Sequence, residues 1–177
     1  MRDWRLWLIP SAVVLVIDQL TKWAVTETLT HLESKPVSGF FNLVLAHNYG
    51  AAFSMLAEAG GWQRALFSGI AIVASVVILW LLSKHRDEKI FCLALSLILA
   101  GALGNLIDRL RFGYVVDFLD FHLESFAAIC NRLSNLVGTC HWPAFNVADS
   151  AIFVGAALLI WDSFRSKQRT PLPKRTA

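Results

Sequence analysis

The sequence predicts an all-α integral membrane protein. It has four transmembrane helices, both termini cytoplasmic, a small β-rich cradle in the first outer loop and an amphipathic helix in the second. Three observations predict this. The 177 residues are 56% hydrophobic and only 16% charged, whereas soluble domains carry about a quarter charged residues. Four stretches approach the roughly 20 apolar residues that a helix needs to cross a bilayer core. The basic residues gather at one side of those stretches. Disorder is excluded, because disordered chains are poor in apolar residues. A net charge of only +3 argues against a nucleic-acid partner.

The spans fall at about residues 6–25, 62–82, 90–110 and 142–161 of a single membrane domain, 1–177. The first is interrupted by Asp18 and Lys22; the second holds no charge from Ala65 to Leu82. The third, from Ile90 to Ile107, is polar only at Ser96 and Asn105. The fourth has an uncharged run only from Ser150 to Trp161, so it reaches spanning length by starting near Trp142 and taking Asp149 into the membrane. Arg2, Arg5, Lys84, Arg86, Lys89, Arg165, Lys167, Arg169, Lys174 and Arg175 are ten of the sixteen Lys and Arg. They mark one face as cytoplasmic. Outer loops then run over about 26–61 and 111–141, and the basic tail 165–177 has some attraction for anionic lipid. The first span is too long and too polar at its end for a signal peptide and reads as retained.

The outer loops have their own patterns. Residues 39–48, bounded by Pro36 and Gly50, are rich in aromatic and branched side chains and read as strand. Leu123, Phe126, Ala127, Cys130, Leu133 and Val137 fall at helical spacing and read as a short helix on the outer leaflet.

An ionisable residue within a span costs about 2.5–3.5 kcal/mol, so the span directions matter. Asp18 and Lys22 fall in the outer third of the first span. Asn105, Asp108 and Arg109 fall at the outer end of the third, with Asp117 just beyond, and Asp149 near the outer start of the fourth. All converge on one level, the outer lipid boundary, as the residues of a site would. Simpler readings stand beside this one. Asp18 and Lys22, at i and i+4, neutralise each other; Gly101 and Gly104 serve close helix packing. Asn146 through Asp149 fits a helix cap with an acid at its third position. On spacing alone Asp117 ranks only slightly ahead of Asp120 and Glu124.

Two carboxylates held close in a low dielectric share a proton. One activates water for attack on a carbonyl carbon, while the other polarises the carbonyl oxygen and helps protonate the leaving amine. No metal or other cofactor is expected. His31, His47, His85, His122 and His141 lack ligand spacing, and there is no nucleophile elbow or phosphate loop. Cys92, within a span, is inert.

Five motifs occur in order: Asp18-Gln-Leu-Thr-Lys22, Asn48-Tyr-Gly-Ala-Ala-Phe-Ser54, Gly101-Ala-Leu-Gly-Asn-Leu-Ile-Asp-Arg109, Val115-Val-Asp-Phe118 and Phe145-Asn-Val-Ala-Asp149. Together they resemble those of lipoprotein signal peptidase, or signal peptidase II, of the bacterial cytoplasmic (inner) membrane. The resemblance implies an aspartyl protease that removes the signal peptide of diacylglyceryl-modified prolipoproteins just before the lipidated cysteine. It implies that Asp117 and Asp149 are the catalytic pair at the outer leaflet face. Asp18, Lys22, Asn48, Gly50, Gly101, Asn105, Arg109 and Asn146 would bind substrate or brace the site. Membrane lipid would be a partner, and the antibiotic globomycin would occupy the site. Tyr49 stands where the family's pattern suggests a smaller residue, and the stretch between the two aspartates is longer than expected. That stretch contains Cys130 and Cys140, for which a disulfide and two free thiols stay equally open.

Two rival classes fit less well. A proton-coupled transporter needs polar residues through the whole membrane depth. A non-catalytic lipoprotein-binding scaffold gives no reason to hold Asp149 below the interface.

Overall fold

The computed structural model describes residues 3–50, 61–122, 130 and 140–169. A 3₁₀ turn, Trp4–Trp7, leads into α1 (Leu8–Thr28). Then come β1 (Ser34–Ser38), β2 (Phe41–Asn48), α2 (Trp62–Lys84), α3 (Lys89–Phe112), β3 (Val115–Phe121) and α4 (Val147–Arg169). All four helices contain a stretch long and apolar enough to cross a membrane. The second outer loop's expected helix, built on Leu123, Phe126, Ala127, Leu133 and Val137, lies outside the described residues.

The helices follow an inside-out logic. On α1, Ile9, Val13, Val16, Ile17, Leu20 and Trp23 are exposed, whereas Ser11, Asp18, Lys22 and Val25 are buried. Both stripes have the spacing of a helix face. Outward apolar residues suit lipid, while polar ones face a protein interior. Helix α3 is the hub, with α1, α2 and α4 each packed on it. Glycines permit the closest approach: a Cβ on Gly101 would strike the Ala148 carbonyl and Ile152. One on Gly104 would lie 2.6 Å from Asp18 Oδ2, and one on Gly155 2.7 Å from the Ala94 carbonyl. At the opposite end, Ser96 Oγ donates to Trp7 O at 2.6 Å, Ser11 Oγ to Ser96 O at 2.8 Å and Trp7 Nε1 to Arg86 O at 3.0 Å. These bonds stitch the start of α1 to α3 and to the α2–α3 turn.

The β structure draws on both outer loops. The sheet is antiparallel in the order β1-β2-β3. Its third strand carries Asp117 and comes from the second loop, where no strand is expected from sequence. Val115 and Val116 have strand character, yet β3 is buried along most of its length, so its residues do not alternate apolar and polar. The register of β2 on β3 passes from Leu43↔Leu119 to Ala46↔Asp117. Two β2 residues thus oppose Phe118 in a bulge, which reverses the faces of the residues beyond it. Asn48 and Asp117 end up on the same face. Packing of Val25 and Leu29 from α1 against Leu45, Val116 and Phe118 fixes the sheet to the helices.

Helix α4 begins at Val147, five residues later than the expected start at Trp142. Pro143 disfavours helix at Trp142, and Phe145 pairs with Leu119 of β3 instead.

Candidate active site

Asp117 lies on β3 and Asp149 in the first turn of α4; Asn146 joins them. Asn146 Nδ2 donates to Asp117 Oδ1 at 2.7 Å and to Val116 O at 3.2 Å. Its Oδ1 accepts from the Asp149 N–H at 2.9 Å, and Asp149 Oδ2 accepts in return from the Asn146 N–H at 3.3 Å. This reciprocal pair is a capping box. Capping therefore explains the location of Asp149 as well as that of Asn146. The fully buried Asn146 amide both starts the helix and links the two acids.

Further amides hold the outer oxygens. Asn48 Nδ2 donates to Asp117 Oδ2 at 3.0 Å, and Asn48 Oδ1 accepts from the Gly50 N–H at 3.0 Å. Asn105 Nδ2 donates to Asp149 Oδ1 at 2.7 Å. Asn105 Oδ1 accepts from Asn146 Nδ2 at 3.2 Å and from Lys22 Nζ at 3.1 Å. Arg109 Nη2 reaches Gly50 O at 3.1 Å, and its guanidinium lies over the Phe67 ring, 5.3 Å from the centroid. Arg109 thereby ties the end of β2 to α3 and α2.

Behind the amides lies a buried ionic cluster. Lys22 Nζ is 2.9 Å from Asp18 Oδ2, the i,i+4 pair expected from sequence, and 2.8 Å from Asp108 Oδ2 on α3. Gln19 Nε2 donates to both carboxylates at 3.1 Å. Asp18 Oδ1 accepts from the Ala148 N–H at 2.9 Å, where the positive end of α4 favours an anion. Asp108 Oδ2 accepts from the Val116 N–H at 3.1 Å. One cluster thus fixes α1, α3, β3 and α4 relative to each other. Asp108, which the span directions place at the level of the site, and Gln19 are not among the residues that the resemblance implies, although both stand inside its motifs. Gln19 is polar in an apolar span, and Asp108 is an acid one turn from Gly104.

Asp117 is only 2% exposed. Burial, and secondarily the neighbouring charge of Asp149, push its carboxyl up to about 7 against the opposing pull of Asn48, Asn146 and Lys22. An acid shifted this far holds a proton where a free Asp does not. Asp120, which spacing ranks close behind Asp117, is buried and accepts from Asn42 Nδ2 at 3.0 Å. Cys130 and Cys140 are joined as a disulfide. Tyr49 is exposed and meets the Tyr114 ring edge-on at 5.4 Å. His31 and His47, distant in sequence, stack at 4.1 Å, and His47 stacks on Tyr114 at 3.9 Å. No cluster of three or more metal-ligating side chains occurs among the described residues.

Comparison with known proteins gives a consistent result. Residues 11–165 match the family described as signal peptidase (SPase) II. The lipoprotein signal peptidase of Ralstonia nicotianae is 53% identical over 163 residues, covering 92% of this chain and 86% of that one. That of Cupriavidus necator is 52% identical over 164 residues, covering 93% and 86%. A bacterial membrane enzyme solved by the in meso method at 2.3 Å resolution superposes with a TM-score of 0.77. It is 27% identical, with 96% of this chain and 94% of that chain covered.

Proposed function

Since the chain belongs to the signal peptidase II family, we propose that Asp117 and Asp149 are the catalytic pair of a membrane aspartic endopeptidase. The protein cleaves prolipoproteins as a multi-pass protein of the bacterial inner membrane. Its substrates carry a diacylglyceryl group, and the scissile bond immediately precedes the lipidated cysteine. The observation that carries the reading is the Asn146 amide, bonded at once to the Asp117 carboxylate and to the Asp149 N–H.

The pair titrates jointly and holds one proton, with Asp117 keeping it up to about pH 7. Asp149, oriented by Asn105, removes a proton from water, and the water oxygen attacks the carbonyl carbon. Asp117 gives its proton to the carbonyl oxygen, producing a neutral tetrahedral gem-diol. When the C–N bond breaks, the leaving nitrogen takes the proton from Asp149 and a gem-diol hydroxyl returns one to Asp117. The dyad is then restored. Asn48 and Asn146 hold the Asp117 oxygens without reorganising, which is how fixed dipoles lower such a barrier.

Basic residues before α1, around the α2–α3 turn, and in the last turns of α4 and beyond it support cytoplasmic termini. The site then opens at the outer leaflet, where a lipid-anchored substrate presents its cleavage point. Globomycin competes for the same site, and membrane lipid contacts the outward faces of α1, α2 and α4. The test is a gel-shift assay of purified lipidated prolipoprotein with wild type, Asp117→Asn and Asp149→Asn. Loss of cleavage in both variants is expected, and cleavage persisting in both would refute the dyad.

A further inference from the structure

The chain leaves the proposed dyad along β3 and returns along residues 141–145, and these two runs are zipped together. Phe118 and Leu119 N–H both donate to Phe145 O, at 3.0 and 2.8 Å. Phe145 N–H donates to Leu119 O at 3.1 Å and Trp142 N–H to Phe121 O at 2.7 Å. The returning run thus occupies the edge of β3 that β2 leaves open, with Leu119 opposite Phe145 and His122 opposite His141. This register puts Asn146 within reach of Asp117 Oδ1. A slip by one residue would turn each side chain of the returning run to the other face, and Asn146 would no longer bridge the two acids.

Backbone bonds alone do not choose a register; side chains do. Three residues after Asp117, on the opposite face of β3, is Asp120. It is 8% exposed, and His141 Nδ1 lies 2.9 Å from each of its carboxylate oxygens. The His141 ring stacks on His122 at 5.2 Å. The preceding residue, Cys140, carries the disulfide to Cys130. The Asp120 carboxylate is buried while the His141 ring is partly exposed, so a slipped register would leave that buried acid one donor short, a cost the paired register avoids.

We infer that Asp120 and His141 are positioning residues for peptide cleavage. They lock the register of the returning run on β3 and, through Asn146, the placement of Asp149 against Asp117. This rests on the dyad reading above. Neither residue touches the reacting atoms, so removing the bond lowers kcat and leaves the KM for prolipoprotein near wild type.

The test compares kcat and KM for lipidated prolipoprotein in wild type, His141→Phe, His141→Gln and Asp120→Asn, with Asp117→Asn as control. Rates are normalised to enzyme that elutes folded from size exclusion in detergent. His141→Phe keeps a ring for His122 but donates nothing to Asp120, and its kcat is expected to fall about ten- to a hundredfold, the scale of an ångström-level misplacement. His141→Gln restores a donor without the ring and is expected to recover most of kcat; Asp120→Asn, whose Oδ1 still accepts from His141, is expected to keep most of kcat as well. Wild-type kcat in His141→Phe, or equal impairment in His141→Gln, would overturn the inference while a dead Asp117→Asn left the dyad standing. Turnover in Asp117→Asn would overturn the dyad and this inference with it.

Discussion

Lys22→Met is the most informative change outside the dyad. Lys22 is 3% exposed, while Asp18 and Asp108 are 0% and 1% exposed, and its ammonium lies 2.9 and 2.8 Å from their oxygens. Methionine matches the stem but removes the charge, leaving two buried carboxylates that face each other. Each keeps a backbone donor, Ala148 N–H on Asp18 and Val116 N–H on Asp108, and both share Gln19. These donors soften the penalty without neutralising either charge. Removing one partner of a buried ionic group costs about 3–5 kcal/mol. At about 2–4 °C per kcal/mol for a chain of this size, the melting temperature should fall by about 6–20 °C. The assay is tryptophan-fluorescence melting in detergent at one fixed heating rate, since membrane proteins often unfold irreversibly. Adding Asp108→Asn should recover part of the loss, because one of the unpaired charges then disappears. A melting point within about 2 °C of wild type, or no recovery in the double variant, would refute the view that this cluster holds α1, α3 and α4 together.

Other expectations follow from the same geometry. Asn146→Ala removes the α4 cap, costing about 0.5–2 kcal/mol, and a donor to Asp117. It should lower kcat by about 10²–10³-fold, the scale seen for one lost transition-state donor, as read by single-turnover cleavage. Gly104→Ala places a methyl 2.6 Å from Asp18 Oδ2 and should cost about 1–3 kcal/mol in the same melting assay. With Asp117 raised from 3.8 to about 7, the folded state binds its proton more tightly than the unfolded chain. Stability should therefore decline as pH rises from about 4 to about 7 and then level off. Asp117→Asn should flatten that slope, and kcat should fall above about pH 7 as the shared proton is lost.

The four spans were legible because bilayer thickness imposes a local requirement that a contiguous apolar run either meets or does not. Clustering of Asp18, Lys22, Asn105, Arg109 and Asp149 at one level was legible for the same reason, since polar groups within a span are expensive wherever they occur; Asp117, beyond the third span, stood out from Asp120 and Glu124 only through the resemblance. Pairings across elements were harder to see. Lys22 suggested Asp18 one turn away, but its contact with Asp108 depends on how closely Gly104 lets α1 approach α3. Strand β3 was hidden because an acid-containing segment buried along most of its length lacks alternation. The β2 bulge that turns Asn48 toward Asp117 leaves no mark in composition. The late start of α4 was obscured because the rule for spanning length drew the helix back to Trp142. The capping signature Asn146–Asp149 marked the true beginning. His31 with His47, and His122 with His141, became neighbours only through strand pairing.

Infrared difference spectroscopy of the purified enzyme, wild type against Asp117→Asn and against Asp149→Asn, interrogates the shared proton itself. The expected result is one protonated carboxyl band at mildly acidic pH that disappears near pH 7, is absent from Asp117→Asn, and titrates at a lower pH in Asp149→Asn, where the neighbouring charge is gone. Two aspartates that stay ionised throughout, or two bands that titrate independently of each other, would contradict a dyad joined through Asn146.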